Sequence, residues 1–411
     1  MEPSMTVEAA KQLLLSVGII LATGIFSGFL SQKIKIPDVV LFLVAGIILG
    51  PEMTGILHIA AESLVNQIIL IFGACYILFD GGASIRLQIL KEVWITLTVI
   101  ATIGVLIMTV ITGVVAHYVL AIPLITALLL GATIASTDPA TIVPIFRQVK
   151  IRDRVSQTVM SESAFNDATG AIITFAVLAV SMGTGDFSVT SSLLDILKQS
   201  GVGILMGALL GYLAIFLIAH EKYNFLEEYA PVVTLMAGIG AYLGADGLQS
   251  SGFMAVFVFG IMLGNKETFG FKMKKVEKDK LEEYISTTSL LMRMFIFILL
   301  GSQVDFSLVG QCLASGIIVV LAFMLVARPV TVFCCAYPDR RAKWSMNEIV
   351  FMCWTRETGV IPAALAGLLL GRKVPGAPII AAVTFIAILM TILIQATTTK
   401  WLARKLGLLE E

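Results

Sequence analysis

Thirteen apolar segments, separated by short polar stretches, dominate this chain of 411 residues. Hydrocarbon holds no water to satisfy backbone N–H and C=O groups, so only α-helices and closed β-barrels can cross a bilayer. The segments are continuous apolar runs rather than short alternating strands, which excludes a barrel. The sequence therefore predicts an all-α integral membrane protein with 13 transmembrane helices, in segments 10–30, 39–50, 64–80, 95–119, 122–145, 157–182, 196–219, 229–246, 249–264, 286–304, 309–336, 348–371 and 377–398.

Few residues of the chain are charged, and the two signs balance. Charged residues make up 14% of the chain, against about 25% in soluble domains. The net charge of zero gives no indication of a nucleic-acid partner. No cofactor is predicted either, and the expected surroundings are those of a lipid bilayer. The first apolar segment follows an acidic start, and we interpret it as a retained span rather than a signal peptide.

Lysine and arginine are distributed unequally between alternate loops. These residues accumulate on the cytoplasmic side of short loops. One set of loops carries 21 of the 28 basic residues, whereas the other carries four: Lys11, Lys198, Arg372 and Lys373. Three more lie inside segments: Arg293, Arg328 and Arg356. The asymmetry predicts a multi-pass protein of the cell (inner) membrane with its N-terminus outside and its C-terminus in the cytoplasm.

The sixth segment contains the polar run SESAFNDATG, with Glu162, Ser163, Asn166 and Asp167. A charge at bilayer depth costs at least about 2.5 to 3.5 kcal/mol, so intramembrane acids usually mark ion pathways or proton relays. On a helix the two i, i+4 pairs lie on neighbouring faces. Asp167 with Ser163 suits a small cation, and Glu162 with Asn166 suits a guanidinium group. Asp167, buried in a dry cleft, would hold either a proton or a cation, and this competition would give exchange.

Two other segments are interrupted by polar residues. The fifth contains Thr137, Asp138 and Pro139, and Pro139 cannot donate a hydrogen bond to the preceding helical turn. The twelfth contains Arg356 and Glu357. Because the two segments run in opposite directions, they are typical of an inverted repeat whose broken helices cross at the midplane. The alternative is that the TRETG group is a cytoplasmic loop before a shorter span.

Each of these interrupting charges has more than one possible role. Asp138 is either a second cation ligand or the cap of a half-helix. Glu357 most simply neutralises Arg356, so that the two compensate charge at the broken helix. Arg328, in LVARPVTV, has a fork of donors that matches Glu162 and Asn166. We interpret Glu162, Asn166 and Arg328 as a structural polar network and not as transport groups.

The groups TDPAT, SESAFNDATG, LVARPVTV and WTRETGVIPAAL, in this order, resemble the cation:proton antiporter superfamily, in its NhaP-type branch. The most specific feature is Asn166 before Asp167, where the electrogenic branch carries two aspartates. The resemblance implies an NhaA-like fold and a homodimer. It also implies that Asp167 is the exchanged carboxylate, with Thr137, Asp138 and Ser163 as further cation-binding residues.

The resemblance further implies how a single transporter domain, 1–411, is organised. A core ion-transport bundle (95–182 and 309–398) would move against a dimerisation bundle (10–80 and 229–304), with 196–219 as the linking helix. One departure concerns the twelfth segment, where the branch usually has a GLRG-like group and this chain has TRETG. LFDGG and VARP also resemble potassium/proton members, so the choice among Na+, Li+ and K+ stays open.

The predicted function is therefore secondary antiport of a monovalent cation for H+, electroneutral because only Asp167 changes its charge, and not an enzymatic reaction. A proton-independent cation channel, or channel-like K+ efflux protein, would also use broken helices and an acidic pore. An intramembrane aspartyl protease could use Asp138 with Asp167. However, the GxGD-type group of such proteases does not accompany them.

Overall fold

The computed structural model describes residues 5–34, 38–137, 146, 151–183, 189–220 and 223–409. Over these residues the regular secondary structure is helical, and the β-structure is limited to an isolated antiparallel bridge between Ile151 and Leu409. The predicted all-α class is confirmed. The helices are α1 (Met5–Ile34), α2 (Asp38–Leu49), α3 (Leu64–Ala83), α4 (Leu87–Val99), α5 (Val105–Leu120), α6 (Leu124–Ile134), α7 (Asp153–Ser181), α8 (Val189–Ala219), α9 (Ala230–Gly247), α10 (Gly252–Gly264), α11 (Lys275–Ser302), α12 (Phe306–Ala322), α13 (Arg328–Cys335), α14 (Met346–Trp354), α15 (Val360–Gly371), α16 (Ala377–Met390) and α17 (Thr397–Lys405).

In the described part of the chain, eight helices are long and apolar enough to cross a membrane. Three of these eight each combine two of the helices named above, which are joined without a break by a wider π-helical turn. The turns lie at Ile100–Gly104, Phe323–Ala327 and Thr391–Ala396. Four further apolar helices are shorter: α2, α6, α10 and α15. The chain is thus a multi-pass membrane protein, whereas the count of 13 spans and the inverted repeat stay predictions.

Two helical segments are broken where the sequence places polar residues. Helix α6 ends at Ile134, and the residues from Asp138 to Pro144 lie outside the described part of the chain. In the twelfth segment α14 ends at Trp354, and α15 begins at Val360. The intervening residues 355–359 are buried. The TRETG group is therefore a break inside the protein rather than a loop on its surface.

Helix α10 packs against α3 with direct backbone contact. A methyl group on Gly260 would lie 3.1 Å from the backbone nitrogen of Ala83, which is tighter than ordinary side-chain contact allows. Gly82 of α3 makes the reciprocal approach to the backbone of α10, 3.1 Å from the nitrogen of Ile261. Glycine at both positions lets the two helices come this close. The two helices therefore form a closely packed unit.

Helix α7 meets the same helix α10 through side chains. The rings of Phe165 and Phe257 pack edge to face, with centroids 4.9 Å apart. Ala168 and Ile172, one and two turns along α7, belong to the same buried apolar cluster as Phe257 and Ile261. The contact between α7 and α10 is thus made by apolar side chains.

A buried aspartate ties the loop between α13 and α14 to helix α4. Asp339 Oδ2 accepts hydrogen bonds from the backbone N–H of Thr96 at 3.1 Å and from its hydroxyl at 2.6 Å. Asp339 Oδ1 accepts from the backbone N–H groups of Arg341 and Ala342. Burial alone raises the pKa of Asp339, but these hydrogen bonds outweigh burial and the net pKa lies below its usual value. The ionised carboxylate is therefore the form that holds the loop.

We expect Asp339→Asn to lower the free energy of unfolding at neutral pH by about 1.5 to 3 kcal/mol, the value of a hydrogen bond to a charged group. Because the folded-state pKa of Asp339 is depressed, its contribution is present above the unfolded-state pKa of about 3.9 and is lost as pH falls through the folded value. Thermal unfolding in detergent between pH 3 and 7 should show the two proteins converging only in acid. Asp279→Asn, at an exposed position of α11, is the control, and an equal loss there would contradict the assignment.

Candidate functional site

The buried carboxylate of Asp167 faces the end of the first broken helix. Helix α6 ends at Ile134, so the backbone N–H of Thr137 is not used within the helix. This N–H donates to Asp167 Oδ1 at 2.9 Å, and the hydroxyl of Thr137 donates to Ser163 Oγ at 2.7 Å. Asp167 and Ser163 are 1% and 2% exposed. The structure thus brings together three of the four residues that the sequence proposes for the cation, and their role as ligands stays a prediction.

The fourth residue proposed for the cation, Asp138, lies outside the described residues, as does Pro139. Its two alternative roles, cation ligand or helix cap, therefore both stay predictions.

A second polar group lies on the neighbouring face of α7. The guanidinium of Arg328 contacts both oxygens of Glu162, with Nη1 close to Oε1 and Nη2 2.9 Å from Oε2. Arg328 Nε donates to the carbonyl of Met352 at 2.9 Å. Asn166 donates its amide to Glu162 Oε1 at 3.1 Å. The three residues of the predicted polar network are in contact. The guanidinium of Arg328 binds both oxygens of Glu162, whereas the prediction had it bind Glu162 and Asn166 together. Asn166 instead contacts Glu162.

Arg356, from the second broken segment, joins the two breaks. Its Nη1 lies 3.5 Å from Glu162 Oε1, and its Nη2 donates to the carbonyl of Ala135 beside the end of α6. A cation is stabilised at the negative, carboxyl end of a helix. The sequence paired Arg356 with Glu357 but missed both of these contacts. Glu357 is itself buried, and its neutralising role stays a prediction.

The two acids of α7 therefore have different surroundings. Glu162 is paired with two guanidinium groups, those of Arg328 and Arg356. Asp167, by contrast, receives the N–H of Thr137 beside two hydroxyl groups. The role of Asp167 as the exchanged carboxylate stays a prediction.

A polytopic helical fold with a buried carboxylate beside a broken helix defines a class, the ion-coupled membrane transporters. Residues 18–405 match the family described as sodium/hydrogen exchanger, transmembrane. The chain belongs to this family, and its relatives confirm the predicted NhaP-type resemblance.

Relatives and solved structures carry transporter names. The Na+/H+ antiporter 1 of Methanocaldococcus jannaschii is 32% identical over 415 residues, covering 95% of each chain. The K+/H+ antiporter NhaP2 of Shewanella oneidensis is 27% identical and covers 97% of this chain and 68% of its own. The structure of the sodium proton antiporter MjNhaP1 from Methanocaldococcus jannaschii superposes with a TM-score of 0.82 at 30% identity, covering 96% of this chain and 99% of the other.

Proposed function

We propose that this protein exchanges one monovalent cation, Na+, Li+ or K+, for one H+ by alternating access around Asp167. The observation that carries the proposal is the fully buried carboxylate of Asp167, held by the N–H of Thr137 beside the hydroxyls of Thr137 and Ser163. Oxygen atoms of this kind are the ligands that alkali cations take. Relatives named for Na+/H+ and for K+/H+ exchange support this class of substrates.

Competition for one carboxylate accounts for the coupling. When Asp167 holds a proton, it is neutral and has no charge to balance a cation. When a cation binds, the proton must leave. With Asp167 as the single carboxylate that changes its charge, one proton is exchanged for one cation, and the loaded site has the same charge in both directions. The exchange is therefore electroneutral.

The proposed movement takes place where α7 meets α10. The side chains of Phe165 and Phe257 can change rotamer when the helices move, whereas the backbone contact of α3 with α10 has no side chain that could adjust. This contrast supports a core bundle (95–182 and 309–398) that moves against a dimerisation bundle (10–80 and 229–304). The homodimer, the linking helix 196–219, the 13 spans and the inverted repeat belong to the same proposal.

The function is tested by fluorescence dequenching in everted membrane vesicles. We expect addition of Na+, Li+ or K+ to dissipate a preformed pH gradient in vesicles that contain the protein, and not in vesicles without it. Titrating the three cations separately gives the half-saturating concentration of each. Cation flux without movement of protons would contradict antiport and indicate a channel.

The proposed orientation is tested by cysteine labelling. In a variant without its five native cysteines, we expect Lys272→Cys to react with an impermeant maleimide in everted vesicles but not in intact cells. Lys272 is exposed in the loop that precedes α11. The control is Lys373→Cys, whose native side chain is 73% exposed. This position should lie outside the cell, so it should react in intact cells. The reverse labelling pattern would overturn the orientation.

A further inference from the structure

Ser136 is a fully buried polar residue at the end of the first broken helix. It directly precedes Thr137, and its side chain is 0% exposed. Among the residues that the structure describes, its hydroxyl has no hydrogen-bond partner. Most buried hydroxyl groups are paired, and an unpaired one costs free energy unless something else occupies its lone pairs. The hydroxyl of Ser136 therefore requires an explanation.

Ser136 packs against α7 at Gly170, close to Asp167. A methyl group on Gly170 would lie 3.3 Å from Ser136 Cβ and would overlap its hydroxyl. Residues 163, 167 and 170 lie on one face of a helix, since they are spaced by four and three positions. The next residue, Thr137, is held at Asp167 because its backbone N–H donates to Asp167 Oδ1. The hydroxyl of Ser136 is thus held about one helical turn from Asp167, on the face that also carries Ser163.

We propose that the hydroxyl of Ser136 is a further ligand of the transported cation, and that Gly170 is the positioning residue that makes room for it. The inference rests on the proposed function, because it assumes that a monovalent cation binds at Asp167. A hydroxyl oxygen has two lone pairs and can coordinate a small hard cation while its proton points away. Ser136 and Thr137 then contribute adjacent oxygens from one side, and α7 contributes Ser163 and Asp167 from the other.

The additional oxygen bears on which cation is chosen. Selectivity among alkali cations depends on the number of coordinating oxygens and on the size of the cavity they form. Removing Ser136 Oγ lowers the ligand number without changing the charge of the site. It should therefore weaken binding by a different factor for Li+, Na+ and K+, whereas a packing defect would weaken binding equally for all three.

The test uses Ser136→Ala, with Thr133→Ala as a matched control. Thr133 is also 0% exposed and lies one turn earlier on α6, but its hydroxyl donates to the carbonyl of Leu129 at 2.8 Å. For the purified proteins, the melting temperature is measured against LiCl, NaCl and KCl, with choline chloride to correct for ionic strength. Transport in vesicles gives the half-saturating concentration and the maximal rate separately.

We expect Ser136→Ala to raise the half-saturating concentration of the preferred cation about tenfold, with the maximal rate nearly unchanged and the unliganded melting temperature close to the parent. Thr133→Ala should leave cation affinity at the parent value. Gly170→Ala keeps the hydroxyl but displaces it, so it should shift affinity in the same direction. The cation affinity of Gly170→Ala therefore tests the proposal even if Ser136→Ala folds poorly.

The failures of the two proposals are distinguishable. Parent-like affinity of Ser136→Ala and of Gly170→Ala for all three cations would overturn the role of Ser136 while leaving antiport intact. An equal loss in Thr133→Ala, or an equal factor for every cation, would assign the effect to packing and would also overturn it. If the parent protein itself shows no cation-dependent stabilisation or transport, the proposed function fails instead.

Discussion

Asp167→Asn should reduce cation/proton exchange to the background of vesicles that lack the protein. Asparagine keeps the size of the side chain and can still accept the Thr137 N–H, but it neither carries a negative charge nor releases a proton. Coupled exchange requires both. The measurement is dequenching with each of the three cations, at expression and melting temperature comparable to the parent.

Proteoliposomes that contain the purified protein test the stoichiometry. Because one carboxylate exchanges one proton for one cation, a potassium-diffusion potential imposed without a pH gradient should leave exchange of a second cation unchanged. Asp138→Asn serves as the comparison, since a second acid that also released its proton would add one charge per cycle. Voltage-dependent rates in the parent, or coupled exchange that persists in Asp167→Asn, would exclude the single-carboxylate mechanism.

Arg328→Ala should destabilise the fold by about 3 to 5 kcal/mol, the cost of leaving a buried charge without its partner. Arg328 is 1% exposed and donates to both oxygens of Glu162 and to the carbonyl of Met352. Poor expression and a lowered melting temperature in detergent would report the loss. The loss should fall at the lower end of this range if Arg356, 3.5 Å from Glu162, partly compensates.

Arg293→Ala is the matched control for this experiment. Arg293 is also an arginine inside an apolar helix, but its side chain is 16% exposed and its ion pair with Asp38 is longer, at 3.9 Å. Its removal should cost much less. The double variant Glu162→Gln/Arg328→Met should not recover the parent stability, because it leaves the buried guanidinium of Arg356 without the acid that lies 3.5 Å away. Parent-like stability of Arg328→Ala would show that the pair does not support the fold.

The general architecture could be predicted from the sequence because the bilayer leaves few alternatives. Long apolar runs can only be helices there, and the structure confirms the all-α class. The contact between Glu162 and Asn166 was also accessible, since residues four apart share a helical face. The pairing of Glu162 with Arg328 could be predicted because a buried guanidinium without an anion costs free energy.

The contacts that could not be predicted join residues far apart in the sequence. Arg356 is 221 positions from Ala135 and 194 from Glu162, and Asp339 is 243 positions from Thr96. Local periodicity gives the face of a helix on which a residue lies, but it does not give the helix that the face meets. The contact of Ser136 with Gly170 could not be predicted for the same reason.

The two contacts of α10 should tolerate substitution very differently. Where its backbone touches α3, at Gly260, any added side chain must separate two helices, so the effect should appear as failure to fold. Where its side chains meet α7, at Phe257, a change of size leaves the backbone in place and alters the resistance to sliding instead. A mutational scan of this single helix should therefore divide into variants that lose yield and variants that fold normally but transport at a different speed and with a different temperature dependence.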